Sequence, residues 1–288
     1  FWFSSSIGCS KSKNCPLIIL SFGQHALVRY TQYANYQRII IVIIPYIMIK
    51  KIKKPFIPLD INHYVLKNSR IDIYCFTLNE KIPGYLDQML SEEETKRANR
   101  FHFEHHQHHF KRARIMLRLI LAKYLKQPPE NLVFSYGKYG KPYLAEYPAL
   151  EFNLSHSGTY ALLAVGKTHP LGIDIERFSE RPYTGIGQHV FSNTENAKLQ
   201  ALPRALKSLM FFNTWAQKEA FIKLIGLGLS YPTTKITVFG LSFATHLLLD
   251  PIDKNTWMLL PFMPKIGYAA ALCCHPDIQA IYYTTYTL

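Results

Sequence analysis

The chain has 288 residues, of which 48% are hydrophobic and 14% aromatic; this excludes wholesale disorder and suits one large domain or two of ordinary size. Its net charge of +14 is uneven, since residues 1–55 hold eight of the 33 basic residues and none of the 19 acidic ones, and the rest carries only +6. That surplus fits an anionic small molecule or an acidic protein partner as well as nucleic acid. The five cysteines lack metal or disulfide-framework spacing and suit a reducing compartment.

The first segment differs from the rest in having no steady hydrophobic period. Its apolar run at 39–49 is interrupted by Pro45 and is much shorter than the ~20 residues a bilayer span needs, so no membrane insertion is expected. Met48 opens a stretch that resembles a natural start. The sequence therefore predicts that residues 1–47 are an upstream extension outside the working protein.

Regular elements follow from Arg70 onward. Alternation of apolar and polar residues over 71–75 predicts a half-buried strand. Ser91 with Glu94 three residues later predicts a capping box, and a helix restarts near Glu104 and stops before Pro128. Near the C-terminus, strands are predicted at 236–239, 256–260, 267–274 and 281–283.

A histidine cluster opens the long helix, and its members are His102, His105, His106, His108 and His109. Four of them share one helical face, which is compatible with a transition-metal site. A solvated polar face is the favoured interpretation, because a catalytic zinc site usually adds a carboxylate or a cysteine and an ordered second shell of contacts.

Two polar segments offer donors to a ligand. The turn-rich segment 136–143 holds lysines next to glycines, which favours phosphate contact. Ser155 and His156 stand side by side without the surroundings of a nucleophile elbow. They are interpreted either as ligand donors or as residues of a structural turn.

The acids occur on a short strand and on a later helix. Period two places Asp174 and Glu176 on one face of the strand 171–176, ~7 Å apart at Cα, from which both carboxylates reach one hard cation. Alternation of this kind is also typical of a surface strand. On the helix, Glu219 falls within an apolar stripe, with Lys223 four residues later. A buried acid requires a cation or a donor, so the combination indicates an oxygen-ligand Mg²⁺ site facing a phosphate, with a structural Glu–Lys pair as the alternative.

Several linked motifs resemble the Sfp-type 4'-phosphopantetheinyl transferases over roughly residues 70–285. They are GIDIE at 172–176, WAQKEAFIK at 215–223, GKPYL at 140–144, NLSHSG at 153–158, RF at 100–101, FSNTE at 191–195 and GLGLS at 226–230. The resemblance implies an α+β fold of two pseudo-symmetric halves, each an antiparallel sheet packed on helices, with the active site in the cleft between them. The halves would span 48–166, with the coenzyme A groove, and 167–288, with the Mg²⁺ and catalytic motifs.

The resemblance also implies an activity and a set of site residues. Such enzymes transfer the phosphopantetheine arm of coenzyme A to a serine of an acyl or peptidyl carrier protein and release adenosine 3',5'-bisphosphate. By position, Mg²⁺ would be held by Asp174, Glu176 and Glu219. The catalytic residues would be Glu219, Lys218 and Lys223, and the coenzyme A contacts would be Lys141, Ser155, His156 and Arg97.

The expected protein is thus a cytoplasmic, monomeric, Mg²⁺-dependent transferase that engages neither nucleic acid nor membrane. Two alternatives come from other classes. Carboxylates, a lysine and positive charge also describe a Mg²⁺ nuclease. A non-catalytic basic binding module, whose acids merely end a strand, predicts that substituting Asp174 and Glu219 leaves function untouched.

Overall fold

The computed structural model describes residues 57–58, 64–179, 184–238 and 240–288. The strands are β1 (Ile57–Pro58), β2 (Arg70–Thr77), β3 (Ser135–Tyr136), β4 (Pro142–Tyr143), β5 (Leu150–Ser157), β6 (Tyr160–Lys167), β7 (Gly172–Arg177), β8 (His246–Leu249), β9 (Thr256–Phe262), β10 (Tyr268–Cys274) and β11 (Ala280–Thr285). The α-helices are α1 (Glu92–Ala98), α2 (Glu104–Leu125), α3 (Thr184–Val190), α4 (Asn193–Ala201) and α5 (Arg204–Ile225).

Each of two sheets carries one long helix. The first sheet has strand order β1-β11-β2-β6-β5, and helix α2 packs on it through an apolar cluster that includes Phe76, Met116 and Leu163. The second sheet has strand order β7-β10-β9-β8 and is antiparallel throughout, and α5 packs on it through Phe221 and Leu259. The α+β architecture expected from the sequence is confirmed, with parallel pairing where β11 lies between β1 and β2.

The two sheets share a third apolar cluster, to which Ile71, Leu162, Ile173 and Leu272 belong. The order of layers is therefore helix, sheet, sheet, helix. This layering explains why the prediction of a half-buried strand at 71–75 was wrong, since β2 is covered on both faces and even Asp72 is buried beneath α2.

Two connections pass between the sheets. The loop 168–171 leads from β6 of the first sheet to β7 of the second, and the loop 275–279 leads back from β10 to β11. The last strand of the chain thus completes the sheet to which β2 belongs. Residues 1–47, expected to be an extension, lie outside the described residues.

Local signals in the sequence account for some element boundaries. The Ser91–Glu94 capping box opens α1, and α2 begins at Glu104 as predicted. The strand predicted at 236–239 was wrong, because 236–238 are not in a strand and 239 lies outside the described residues; β8 was not predicted. Among the described helices, none has the length and apolarity needed to cross a bilayer.

Candidate functional site

Strand β7 is held unusually close to helix α5. A side chain at Gly172 would collide with the backbone of Ala220 and Leu224, so only glycine allows this approach. As the alternation predicted, Ile173 and Ile175 point into the core between the sheets, while Asp174 and Glu176 point toward α5. The close packing places both acids beneath one stripe of the helix.

That stripe consists of Trp215, Glu219 and Lys223, which recur every fourth residue. All three are half-buried, whereas Ala216 and Ala220 beside them are fully buried. Glu219 thus lies at the edge of the buried face of α5. The sequence had predicted a position inside that face. An acid and a base in this position reach the junction between the sheets.

Asp174 is only 2% exposed, and its two carboxylate oxygens differ in their hydrogen bonds. Its Oδ1 accepts hydrogen bonds from Lys223 Nζ at 2.5 Å and from Ser155 Oγ at 2.7 Å. Its Oδ2 is buried without a hydrogen-bond partner among the described residues. A buried carboxylate oxygen in this state is costly unless a cation or a donor reaches it.

Glu176 is fixed by two donors from different elements. Trp215 Nε1 donates to its Oε1 at 2.9 Å, and Ser157 Oγ donates to its Oε2 at 3.0 Å. Burial, followed by the charge of Asp174, nevertheless raises the pKa of Glu176 to about 7. The two hydrogen bonds oppose that shift but do not cancel it.

Glu219 completes the acidic group from the helix side. Burial and the charge of Asp174 raise the pKa of Glu219, and Lys223 only partly offsets them. No side chain among the described residues donates a hydrogen bond to this carboxylate. Three acids therefore share one site with one lysine, an excess of negative charge that a divalent cation would balance.

The donor set fits Mg²⁺. Carboxylate oxygens are the ligands that hard divalent cations prefer, and the vacant Asp174 Oδ2 offers a coordinating atom that nothing else in the described chain engages. Asp174 interacts through its charge with both Glu176 and Glu219, so the three acids face the same junction. The Mg²⁺ site that the sequence predicts for them stays a prediction.

Strands β5 and β7 are joined by side chains instead of a backbone ladder. Asn153 Oδ1 accepts the backbone N–H of Ile173 at 2.9 Å, Ser155 donates to Asp174, and Ser157 both donates to Glu176 and accepts from the backbone N–H of Arg177 at 3.0 Å. Sequence reasoning missed Asn153, Ser157 and Trp215. Asn153, Ser155 and Ser157 recur at every second position and so share one face of a strand. This pattern could have identified Asn153 and Ser157 from the sequence.

His156 lies on the other face of β5, and the residue as a whole is exposed, although protein atoms surround part of its ring. Surrounding protein atoms displace water from it and lower its pKa, the charge of Lys223 lowers it further, and Asp174 opposes them. His109 lies within electrostatic reach, because His156 contributes to the lowering of its pKa after desolvation and after His108 and His105.

The histidine cluster forms the solvated polar face that was favoured. His102, His105 and His106 are exposed, and the rings of His105 and His106 have centroids 4.0 Å apart. His109 Nε2 contacts Asn79 Oδ1 at 2.8 Å.

Two predicted coenzyme A contacts have partners other than the three acids in the described chain. Lys141 Nζ donates to the carbonyl oxygen of Leu171 at 2.9 Å, and burial lowers its pKa while Glu151 opposes that shift. Arg97 is exposed, with its guanidinium 5.3 Å from the centroid of the Phe110 ring. Within the described chain neither forms a hydrogen bond or ion pair with the three acids.

Lys218 corrects the sequence prediction of a catalytic role. It is 0% exposed, and its Nζ donates to the carbonyl oxygens of Val190, Thr233 and Ile236 and pairs with Glu195 at 2.8 Å. All its donor capacity is used in the core on another side of α5. These contacts are those of a structural residue, because protein acceptors enclose the ammonium group and no substrate can reach it.

Two segments of the chain also match known protein families. Residues 84–168 match the family described as 4'-phosphopantetheinyl transferase, N-terminal, and residues 170–257 match the 4'-phosphopantetheinyl transferase superfamily. The chain is 40% identical over 192 residues to the 4'-phosphopantetheinyl transferase HetI of Nostoc sp., covering 64% of this chain and 77% of that protein.

Two relatives from Bacillus subtilis are similar over more of their length. A 4'-phosphopantetheinyl transferase is 32% identical over 200 residues, which cover 67% of this chain and 88% of the relative. The 4'-phosphopantetheinyl transferase Sfp is 30% identical over 212 residues, which cover 68% of this chain and 93% of the relative. In each case the match spans more than two thirds of the relative's own length.

Proposed function

We infer that this chain, which belongs to the 4'-phosphopantetheinyl transferase superfamily, transfers the 4'-phosphopantetheine group of coenzyme A to a serine of an acyl or peptidyl carrier protein. The observation that carries the proposal is the group of three carboxylates with an unsatisfied buried oxygen, at a junction where both matched segments contribute residues. The resemblance drawn from the motifs is thereby confirmed at the level of the family.

The proposed reaction exchanges one P–O bond for another. The serine oxygen bonds to the phosphorus that carries the pantetheine arm, and the bond from that phosphorus to the bridging pyrophosphate oxygen breaks. Adenosine 3',5'-bisphosphate leaves with the bridging oxygen. Phosphoryl chemistry of this kind needs positioning and charge neutralisation more than a strong nucleophile.

Mg²⁺ is the proposed resident ion, held by Asp174, Glu176 and Glu219. When bound, it supplies positive charge to the pyrophosphate oxygens. Support comes from the oxygen-only donor set and from the raised pKa values of Glu176 and Glu219, since acids that repel one another are stabilised by a shared cation.

The remaining roles fall to residues at the same junction. Lys223 Nζ holds Asp174 and Ser155 and is exposed enough to contact the charge that develops on the phosphate. Glu219, without a hydrogen-bond donor from the described chain, is the proposed acceptor of the serine proton at its carboxylate oxygen.

The coenzyme A contacts divide into two groups. Ser155 donates to Asp174 and accepts from Lys223, so we assign it to positioning the site instead of binding the nucleotide. His156 is exposed beside Lys223 and is the proposed phosphate contact. Lys141 and Arg97 stay predictions for that groove, as do the monomeric state, the cytoplasmic location and the absence of nucleic-acid and membrane partners.

The decisive experiment is an incubation with coenzyme A, Mg²⁺ and an apo carrier protein, followed by intact mass measurement of the carrier. The expected result is a mass gain of one phosphopantetheine, lost when EDTA is added and lost in Glu219→Gln. Nucleic acid is included in a parallel reaction. Cleavage of it without any carrier mass gain would replace the proposal with the nuclease alternative, which the family does not favour.

A further inference from the structure

A second group of metal-ligating side chains lies where the chain crosses between the sheets. His169 belongs to the loop from β6 to β7, and His275 and Asp277 belong to the loop from β10 to β11. The imidazole rings of the two histidines stack with centroids 4.4 Å apart and planes 12° apart. Residues more than 100 positions apart are thus held together at the two sheet-to-sheet connections.

The ligand atoms already approach the spacing of a coordination sphere. One atom from each of the three side chains lies within 4.8 Å of the others. His275 Nδ1 and Asp277 Oδ2 are 3.4 Å apart, close to the ~3.3 Å that separates two ligand atoms of a tetrahedral ion with bonds of ~2.0–2.1 Å. His275 Nδ1 also accepts the backbone N–H of Asp277 at 3.2 Å, and a metal bound to that nitrogen would replace this hydrogen bond. The His169 ring must turn to complete the set, and the χ2 torsion of histidine is broad enough to allow it.

The surroundings leave this group accessible to an ion and to water. His169 and His275 are half-buried, and Asp277 is exposed. An open depression of about 460 Å³ is lined by His169 and Asp277 together with Asn68, Ser69, Pro276 and Gln279. The rings of His275 and Trp257 are nearly perpendicular, with centroids 6.2 Å apart. A site of this form supplies three protein ligands and keeps a position for water.

We propose that His169, His275 and Asp277 bind a divalent transition metal of the zinc class. Two imidazole nitrogens and one carboxylate oxygen select such an ion over Mg²⁺, which prefers oxygen ligands alone. The competing explanation is a loop turn without a metal, in which His275 Nδ1 accepts the backbone N–H of Asp277 and the exposed Asp277 carboxylate contributes little energy. The two explanations differ in what happens when zinc is added.

The role of the ion would be to fasten one crossover loop to the other. Strand β7, which carries Asp174 and Glu176, begins three residues after His169, and β11 begins three residues after Asp277. A metal bound across both loops would tie the second sheet to the first at this end of the junction. The site is structural, and it does not depend on the proposed transferase activity.

The test is a zinc titration of the full chain in excess Mg²⁺, with bound zinc measured after desalting and the melting temperature recorded. Because a ligand at 100 times its Kd stabilises the folded state, we expect the melting temperature to rise by roughly 5 °C. His169→Asn and Asp277→Asn should each abolish that rise and the bound zinc. His189→Asn, which changes an exposed histidine of α3, is the matched control.

Two further variants exclude other zinc sites. The double variant His105→Asn/His109→Asn removes the helical histidine pair, and Asp174→Asn removes a ligand of the proposed Mg²⁺ site. Both should keep the bound zinc and the thermal shift. Loss of zinc in either one, or equal zinc content in His169→Asn, Asp277→Asn and the unsubstituted chain, would overturn the proposal.

Discussion

Helix α5 carries the lysines of two lysine–carboxylate pairs whose carboxylates belong to α4 and β7, and the two pairs are in opposite states. Lys218 is fully enclosed, and Glu195 beside it accepts the backbone N–H groups of Ser192 and Val238 as well as the lysine. Lys223 is half-buried and pairs with Asp174, whose second oxygen is buried and unpartnered within the described chain. We call the first pair closed, because protein groups satisfy both its charges. We call the second pair open, because one oxygen of its carboxylate has no partner in the described chain.

These two lysines of α5 therefore differ in role: Lys218 stabilises the fold, and Lys223 lies at the proposed site. Burying charge is expensive in both places, and it is tolerated when every donor and acceptor is satisfied. The Lys218 pair meets that condition with protein groups alone. The Lys223 pair lies among three acids and one lysine, and only an added cation and an anionic substrate would satisfy it. An unsatisfied buried group at a junction is therefore better evidence of a site than a lysine in a matching motif.

The largest expected effect comes from breaking the open pair. Asp174→Asn or Glu219→Gln should lower the rate of phosphopantetheine transfer by ~10³-fold or more, because a loss of about 4 kcal/mol of transition-state charge stabilisation has that effect. Each protein should remain folded. The carrier mass assay and thermal denaturation measure the two properties, and Asp253→Asn, an exposed acid in a loop, is the control. Near-normal turnover in either variant would contradict the assignment of that residue as a Mg²⁺ ligand.

Breaking the closed pair should affect stability instead. Lys218→Met leaves the Glu195 charge and three carbonyl oxygens without their donor, at a cost of about 3–5 kcal/mol in the free energy of unfolding. Urea denaturation measures this loss. The fraction that stays folded should transfer phosphopantetheine at a nearly unchanged rate. A soluble and stable Lys218→Met protein without transferase activity would instead support a catalytic role for Lys218.

The matched substitution at the open pair is Lys223→Met. With Mg²⁺ present, it should slow transfer by ~10²-fold while changing the free energy of unfolding little, because Lys223 is partly solvated. The KM for coenzyme A should change less than kcat, since the lysine is assigned to charge that develops during the reaction. Weakened coenzyme A binding with unchanged kcat would contradict that assignment.

Sequence alone located the acids but not their supports. Strand periodicity placed Asp174 and Glu176 on one face, and helical spacing linked Glu219 to Lys223, because both patterns are local. Lys218 was misassigned because its carbonyl partners come from segments distant in sequence.

The same limit applies to the fold. The capping box at Ser91 and the start of α2 were readable from neighbouring residues. The burial of β2 on both faces and the return of β11 to the first sheet depend on which elements pack together, and no local period carries that information. Trp215 was taken as an apolar residue for a related reason, since its indole N–H finds Glu176 only after β7 and α5 are packed.

The smallest expected effect tests that last contact. Trp215→Phe keeps an aromatic ring stacked on Phe211 but removes the donor to Glu176 Oε1, and the loss of one hydrogen bond to a charged group, about 1.5 kcal/mol or more, should slow transfer roughly tenfold. Because Glu176 is a proposed Mg²⁺ ligand, the Mg²⁺ concentration needed for half-maximal rate should rise more than the KM for coenzyme A. Ser157→Ala removes the second donor and should act in the same direction. If both variants kept the normal Mg²⁺ requirement and lost only thermal stability, Glu176 would belong with the closed, structural type of contact that Glu195 represents.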